Sequence, residues 1–120
     1  NGSANLVGRF LMIEKLNNIT SYSGFTIRIR PDFEKTDSKF LCYYLKSDIV
    51  RNELSENSVG SNIKSLNQTQ LSNIKIPLPS LSEQQKIVSE IEKIEAKIKV
   101  LETEIAEIPK LKEAVLKKYL

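Results

Sequence analysis

The sequence predicts an α+β fold, in which a small mixed domain is followed by a long C-terminal helix that pairs in a coiled coil. Upstream of Pro77, short apolar runs alternate with turn residues, a pattern typical of mixed strands and short helices. Downstream of Pro79, apolar residues recur at alternating spacings of four and three, the a/d pattern of a coiled coil. The length of 120 residues suits one small domain with an extended element. We therefore expect two domains, residues 1–79 and 80–120.

The first domain contains the predicted strands. They are Leu6–Ile13, Gly24–Arg30 and Ile74–Leu78. The second is the clearest, because apolar and polar residues alternate along it until Pro31 ends the strand. Residues 55–70 are polar and turn-rich around a glycine, so we interpret them as a loop that has room for a short strand at 62–66.

Two short helices are predicted between these strands. Asp37 or Ser38 can cap a helix over residues 39–46, and a second short helix is expected over 48–54. We assign Tyr43 and Tyr44 of the first helix to the core or to its partly buried edge rather than to the stacking of bases. Further along the chain, three residues are interpreted as caps of the following turn rather than as ligand contacts: Asn67, Gln68 and Gln70.

The long helix is predicted over residues 82–108. Ser82 and Gln85 fit a capping box at its start. At about 1.5 Å per residue the helix would be roughly 40 Å long, more than a core of this size can cover. The alternative is a helix that lies on its own domain, but the strict narrow stripe favours a helix partner. The residues predicted to pair are Ile87, Ile91, Ile94, Ile98, Leu101, Ile105 and Ile108.

Pro109 interrupts this pattern, because proline removes a backbone donor and clashes with the preceding turn. Apolar residues resume downstream in a shifted register. Either the rod continues with a kink, or a second short helix folds back. We favour the kink near Pro109, because no glycine or turn cluster follows Ile108.

The net charge of +3 lies entirely in the first domain. Residues 1–79 contain ten Lys/Arg and seven Asp/Glu, whereas residues 80–120 contain eight of each sign. A mild basic bias fits contact with a polyanion, although an ordinary solvated surface would give the same balance. We found no membrane span and no signal sequence, so a cytoplasmic location is expected.

Few residues here are suited to catalysis. The chain has no histidine and one cysteine, Cys42, which disfavours zinc sites, disulfides and histidine-based triads. Asp32, Asp37 and Lys39 superficially imitate a metal-nuclease motif, but their spacing is short and we interpret them as a turn and a helix cap. We therefore expect no catalytic residue and no cofactor or metal.

Four segments together resemble the specificity subunits of type I restriction–modification systems. The resemblance covers most of residues 24–118 and is most specific where Pro-Leu-Pro and Glu-Gln-Gln lead into the heptad helix. The similar segments are Phe25–Pro31, Phe40–Ser47, Gly60–Asn67 and Leu71–Ile87.

The resemblance implies that residues 1–79 are a target-recognition domain reading one half of a bipartite sequence in double-stranded DNA. It implies helices that pair antiparallel as a spacer and dock the methyltransferase subunit and, through it, the restriction subunits. Catalysis would belong to those partners. Such domains are usually longer at their N-terminal side, so we expect an incomplete domain, and the chain would be a fragment or a half-subunit. Its helix would pair either with its own copy in a homodimer or with a second helix of a longer chain.

The predicted DNA contacts are cations and loop amides. Lys/Arg side chains bind phosphates, and Arg, Lys, Asn and Gln read base edges in the major groove. For each candidate, the alternative is an ordinary surface or strand-edge residue. The candidates are Arg9, Arg28, Arg30, Ser61, Asn62 and Lys64.

Two other functions are consistent with the sequence. The chain could be the C-terminal recognition region of a fused restriction–methylation enzyme, with catalysis elsewhere in the same polypeptide. It could also be a coiled-coil interaction module without DNA binding, and salt-dependent binding to DNA would separate these classes.

Overall fold

The structure is a computed structural model that describes residues 8–56 and 66–120. These residues form four helices: α1 (Ser38–Lys46), α2 (Asp48–Glu56), α3 (Gln68–Ser72) and α4 (Leu81–Tyr119). Within those two ranges there is no strand, so the α+β prediction is wrong for the part of the chain that is described. A strand needs a neighbouring strand to complete its backbone hydrogen bonds, and side-chain alternation alone does not supply one. The short strand predicted at 62–66 falls almost wholly outside the described residues.

The predicted pair of short helices is confirmed. Asp37 caps α1, because its Oδ1 accepts hydrogen bonds from the backbone N–H groups of Lys39 and Phe40, both at 2.9 Å. Ser47 ends α1, where its N–H and its hydroxyl both donate to the carbonyl of Tyr44. The carbonyl of Ser47 then accepts from the N–H of Arg51, so α2 begins directly at this junction.

The core of the N-terminal part lies between α1 and α2. Leu41, Leu45, Val50 and Leu54 form a buried cluster. Five partly buried side chains pack against it, as follows: Phe10, Tyr44, Leu66, Ile74 and Ile76. The predicted core role of Tyr44 is confirmed, and its hydroxyl also donates to the carbonyl of Lys75 at 3.2 Å. The segment predicted as the strand Ile74–Leu78 thus contributes side chains to a helical core.

Helix α3 begins with a capping box. The side chain of Asn67 accepts from the N–H of Gln70, and the side chain of Gln70 accepts from the N–H of Asn67. The interpretation of these two residues as caps is confirmed.

Helix α4 begins earlier than predicted. Its capping residue is Ser80, whose N–H and hydroxyl both donate to Glu83 Oε2, at 2.9 and 2.7 Å. The predicted capping box of Ser82 and Gln85 is therefore wrong. Ser80 stands three residues before Glu83, which is the spacing of a capping box.

Helix α4 is also longer than predicted, and continues through Pro109 to Tyr119. The alternative of a second helix that folds back is therefore wrong. Pro109 has no N–H to donate to the carbonyl of Ile105, so a kink at this point stays a prediction.

The chain forms two compact units, Asn1–Gln85 and Lys86–Leu120. The first turn of α4 therefore belongs to the N-terminal unit. No helix in the described part of the chain is long and apolar enough to cross a membrane.

Candidate nucleic-acid interface and helix-pairing seam

Arg9 is the first of the predicted DNA contacts, and its side chain is exposed. It lines a depression of about 240 Å³ on the N-terminal unit. The other lining residues are Gly8, Phe10, Leu45, Lys46 and Arg51. The structure thus brings Arg9 together with two cations that the sequence analysis did not single out.

Arg28 and Arg30 lie on the exposed segment that was predicted to be a strand. The guanidinium carbon of Arg28 lies 5.2 Å from the centre of the Tyr22 ring, which is a cation–π distance. A turn lies between Tyr22 and Arg28 in the sequence, where the N–H of Thr26 donates to the carbonyl of Ser23 at 2.9 Å. Both arginines are exposed to solvent, so each is accessible to a phosphate.

Ser61, Asn62 and Lys64 lie outside the described residues, and their contact with DNA stays a prediction. Of the six predicted contacts, the structure therefore positions three, all of them arginines. Arg28 and Arg30 share one segment, whereas Arg9 lines the depression.

The residues that imitate a nuclease motif have structural roles. Asp32 accepts from the N–H of Glu34 at 3.0 Å and forms an ion pair with Lys35 at 3.3 Å. The hydrogen bond from Glu34, followed by that from Lys35, lowers the pKa of the Asp32 carboxyl. Asp37 is occupied as the cap of α1. The interpretation as a turn and a cap is confirmed, and within residues 8–56 and 66–120 no cluster of three metal-ligating side chains occurs.

Gln84 is a structural residue that the sequence analysis missed. Its side chain is completely buried, and its Nε2 donates to the carbonyls of Lys35 and Pro79, each at 2.8 Å. Its Oε1 accepts from the N–H of Asp37, also at 2.8 Å. Gln84 lies seven residues before Ile91 and so shares its heptad position, but the spacing alone does not show which groups enclose it.

The seven residues predicted to pair (the seam) all lie on α4, and their pairing with a second helix stays a prediction. Ile91 is half-buried, and the other six seam residues are between 41 % and 65 % exposed. Because the helix is continuous, Val115 lies one heptad beyond Ile108 and extends the seam past Pro109. Leu111 and Leu116 widen the apolar surface there, and both are exposed.

Charged pairs occupy other positions of α4. Lys93 bonds Glu90 at 2.9 Å and Lys117 bonds Glu113 at 2.6 Å. All four side chains are exposed, so these pairs add little stability. Burial of the apolar seam would therefore stabilise α4 more than these surface ion pairs do.

Comparison with known proteins places the chain in a family. Residues 4–110 match the model of the type I restriction modification DNA specificity domain. The chain is 35 % identical over 109 residues to the type I restriction enzyme StySPI specificity subunit of Salmonella potsdam, covering 88 % of this chain and 23 % of that protein. It is 35 % identical over 83 residues to the MjaVIII specificity subunit of Methanocaldococcus jannaschii, covering 69 % of this chain and 20 % of that protein.

A third relative, the EcoKI specificity subunit of Escherichia coli, is 28 % identical over 110 residues, covering 92 % of this chain and 23 % of that protein. The chain thus spans about a quarter or less of the length of these curated relatives. No solved structure matches it. The predicted family is confirmed: the chain belongs to the type I restriction–modification DNA specificity family.

Proposed function

We propose that this chain is a non-catalytic recognition component of a type I restriction–modification complex. In this role the N-terminal unit reads one half-site of a bipartite sequence in double-stranded DNA. The observation that carries the proposal is the family match over residues 4–110, joined to named specificity subunits among the relatives. The excess positive charge of residues 1–79 supports a polyanionic ligand.

Within this proposal, the arginines anchor the DNA backbone. Arg9, Arg28 and Arg30 are exposed, and a guanidinium carries five N–H donors in a planar fork that matches phosphate geometry. Arg28 can rest on Tyr22 and still present its edge to a phosphate. Ser61, Asn62 and Lys64 supply groups suited to base-edge contacts.

Helix α4 is proposed to be the pairing and docking element. Its seam residues repeat over three heptads and, apart from the half-buried Ile91, are exposed, so a second helix would bury them. Paired in this way, α4 would act as a spacer that holds two recognition domains at a fixed distance, and it would also dock the methyltransferase. The restriction subunits would join through that methyltransferase.

The proposal predicts salt-dependent binding to duplex DNA. The affinity of the chain for a mixed-sequence duplex should fall steeply as salt rises, because each phosphate contact releases counterions. The double variant Arg28→Gln/Arg30→Gln should reduce the salt slope by about 1.8, as expected for two lost phosphate contacts. Fluorescence anisotropy over a range of salt concentrations measures both quantities.

The matched control is Lys97→Gln/Lys99→Gln, which removes the same charge from α4. Its salt slope should stay that of the wild type. A wild-type chain that does not bind duplex DNA at low salt would contradict the proposed DNA-binding function. The second candidate, a coiled-coil module without DNA binding, is favoured by the exposed seam and would then be preferred.

A further inference from the structure

Three cations from three places in the sequence line one depression of the N-terminal unit. Arg9 precedes the core, Lys46 is the last residue of α1, and Arg51 lies in α2. None of the six residues that line the depression is acidic. Three cationic side chains in one lining give it a positive potential, which favours a negatively charged ligand.

The backbone around this depression is well fixed. Ser47 joins α1 to α2 through two bonds to the carbonyl of Tyr44, one of them at 2.6 Å from its hydroxyl. The N–H of Arg51 then bonds the carbonyl of Ser47 at 3.1 Å. The junction therefore holds Lys46 and Arg51 near each other without a flexible loop between their helices.

The depression also has an apolar lining that is part of the core. Leu45 is buried in the α1–α2 cluster, and Phe10 packs against the same cluster. Gly8, with φ of 73°, makes a left-handed turn immediately before Arg9. A side chain at this position would be strained, so glycine suits the turn that leads into the depression.

We propose that this depression, rimmed by Arg9, Lys46 and Arg51, binds neighbouring phosphate groups of the DNA backbone, with Lys46 and Arg51 each neutralising one of them. The inference rests on the proposed DNA-binding function and adds Lys46 and Arg51 to the contacts. A phosphodiester carries one negative charge and several acceptor oxygens, which match the guanidinium and ammonium donors of the rim. Arg9 and Arg51 have other interactions, but a guanidinium with five donors can bond a phosphate as well.

A purely structural role for Lys46 makes a different prediction. A lysine in the last turn of a helix complements the negative end of the helix dipole. If that were its whole role, its removal would lower the melting temperature without changing the salt dependence of DNA binding. The salt slope is therefore the readout that separates the two roles.

The test uses the whole chain and a mixed-sequence DNA duplex. The double variant Lys46→Gln/Arg51→Gln should lose about 30-fold in affinity at 0.15 M salt, with a salt slope smaller by about 1.8. The charge-retaining variant Lys46→Arg/Arg51→Lys should bind within a few-fold of the wild type. The control Lys97→Gln/Lys99→Gln removes the same charge from α4 and should keep the wild-type slope.

Each outcome decides the inference. If the Gln double variant loses helix content by circular dichroism, the single variant Lys46→Gln replaces it, and half the change in slope is expected. The inference is overturned if the wild type binds DNA and the rim variants weaken binding no more than the control does. In that case the DNA-binding function still stands. If the wild-type chain fails to bind duplex DNA at low salt, the proposed function fails and this site fails with it.

Discussion

Residues at one heptad position of α4 differ in burial between the first turn of the helix and the rest of it. Gln84, Ile91, Ile98 and Ile105 are spaced by seven residues and share that position. Gln84 is completely buried, whereas Ile98 is 48 % exposed and Ile105 is 65 % exposed. A polar side chain is thus enclosed, whereas the large apolar side chains of Ile98 and Ile105 at the same heptad position face solvent.

The difference follows from the neighbours that each region has. Gln84 meets backbone groups of Lys35, Asp37 and Pro79, and its amide satisfies all three. A buried amide is tolerated only when its donors and acceptors are paired, and here they are. Ile98 and Ile105 are exposed, and their burial by a second helix stays a prediction.

The largest expected effect on the free energy of unfolding comes from removing the buried Gln84 side chain. Gln84→Ala should cost roughly 2–5 kcal/mol of stability, because it leaves the N–H of Asp37 and the carbonyls of Lys35 and Pro79 without their partner. Urea unfolding monitored by circular dichroism measures the change.

The neighbouring glutamine provides a matched control for that variant. Gln85 is exposed, so Gln85→Ala should change stability by less than about 0.5 kcal/mol. Equal effects of the two substitutions would contradict the role assigned to Gln84.

A smaller effect is expected at the cap of α4. Ser80→Ala removes the hydroxyl that donates to Glu83 at 2.7 Å, and a lost cap costs about 1 kcal/mol. The bonds from the hydroxyl and then from the N–H of Ser80 lower the pKa of Glu83, so the carboxylate stabilises the fold above its unfolded pKa. That contribution should be lost as pH falls through the lower, folded value, and the effect of Ser80→Ala should shrink with it.

Thermal unfolding at neutral and acidic pH measures this dependence. Ser82→Ala is the control, because Ser82 is exposed and lies within the helix. A larger loss from Ser82→Ala than from Ser80→Ala would show that the cap lies at the position that the sequence first indicated.

The helices could be predicted from the sequence because their signals are local. Asp37 caps α1 through N–H groups two and three residues away, and the heptad seam needs only its own spacing. The cap of α4 was misplaced by two residues, since Ser80 and Ser82 stand in similar local patterns. The fully buried Gln84 could not be assigned, because its three partners lie in other segments of the fold.

The predicted strands were wrong because a strand depends on contacts that are not local. Residues 24–30 alternate apolar and polar side chains, yet Phe25 is 93 % exposed and no ladder forms in the part of the chain that the structure describes. A strand depends on a neighbour that local alternation does not provide. Lys46 and Arg51 could not be grouped with Arg9 from the sequence, because the three line one depression only in the folded chain.

The measurement that tests most directly whether the exposed seam is an interface is sedimentation equilibrium of Ile98→Asp beside its control. A charge in the seam should weaken self-association about 100-fold or more, because each pair of helices would bury it against apolar residues. Val100 is also apolar and 57 % exposed but lies off the seam, so Val100→Asp should associate as the wild type does. A dimer that survives Ile98→Asp unchanged, or is lost equally in both variants, would contradict the account.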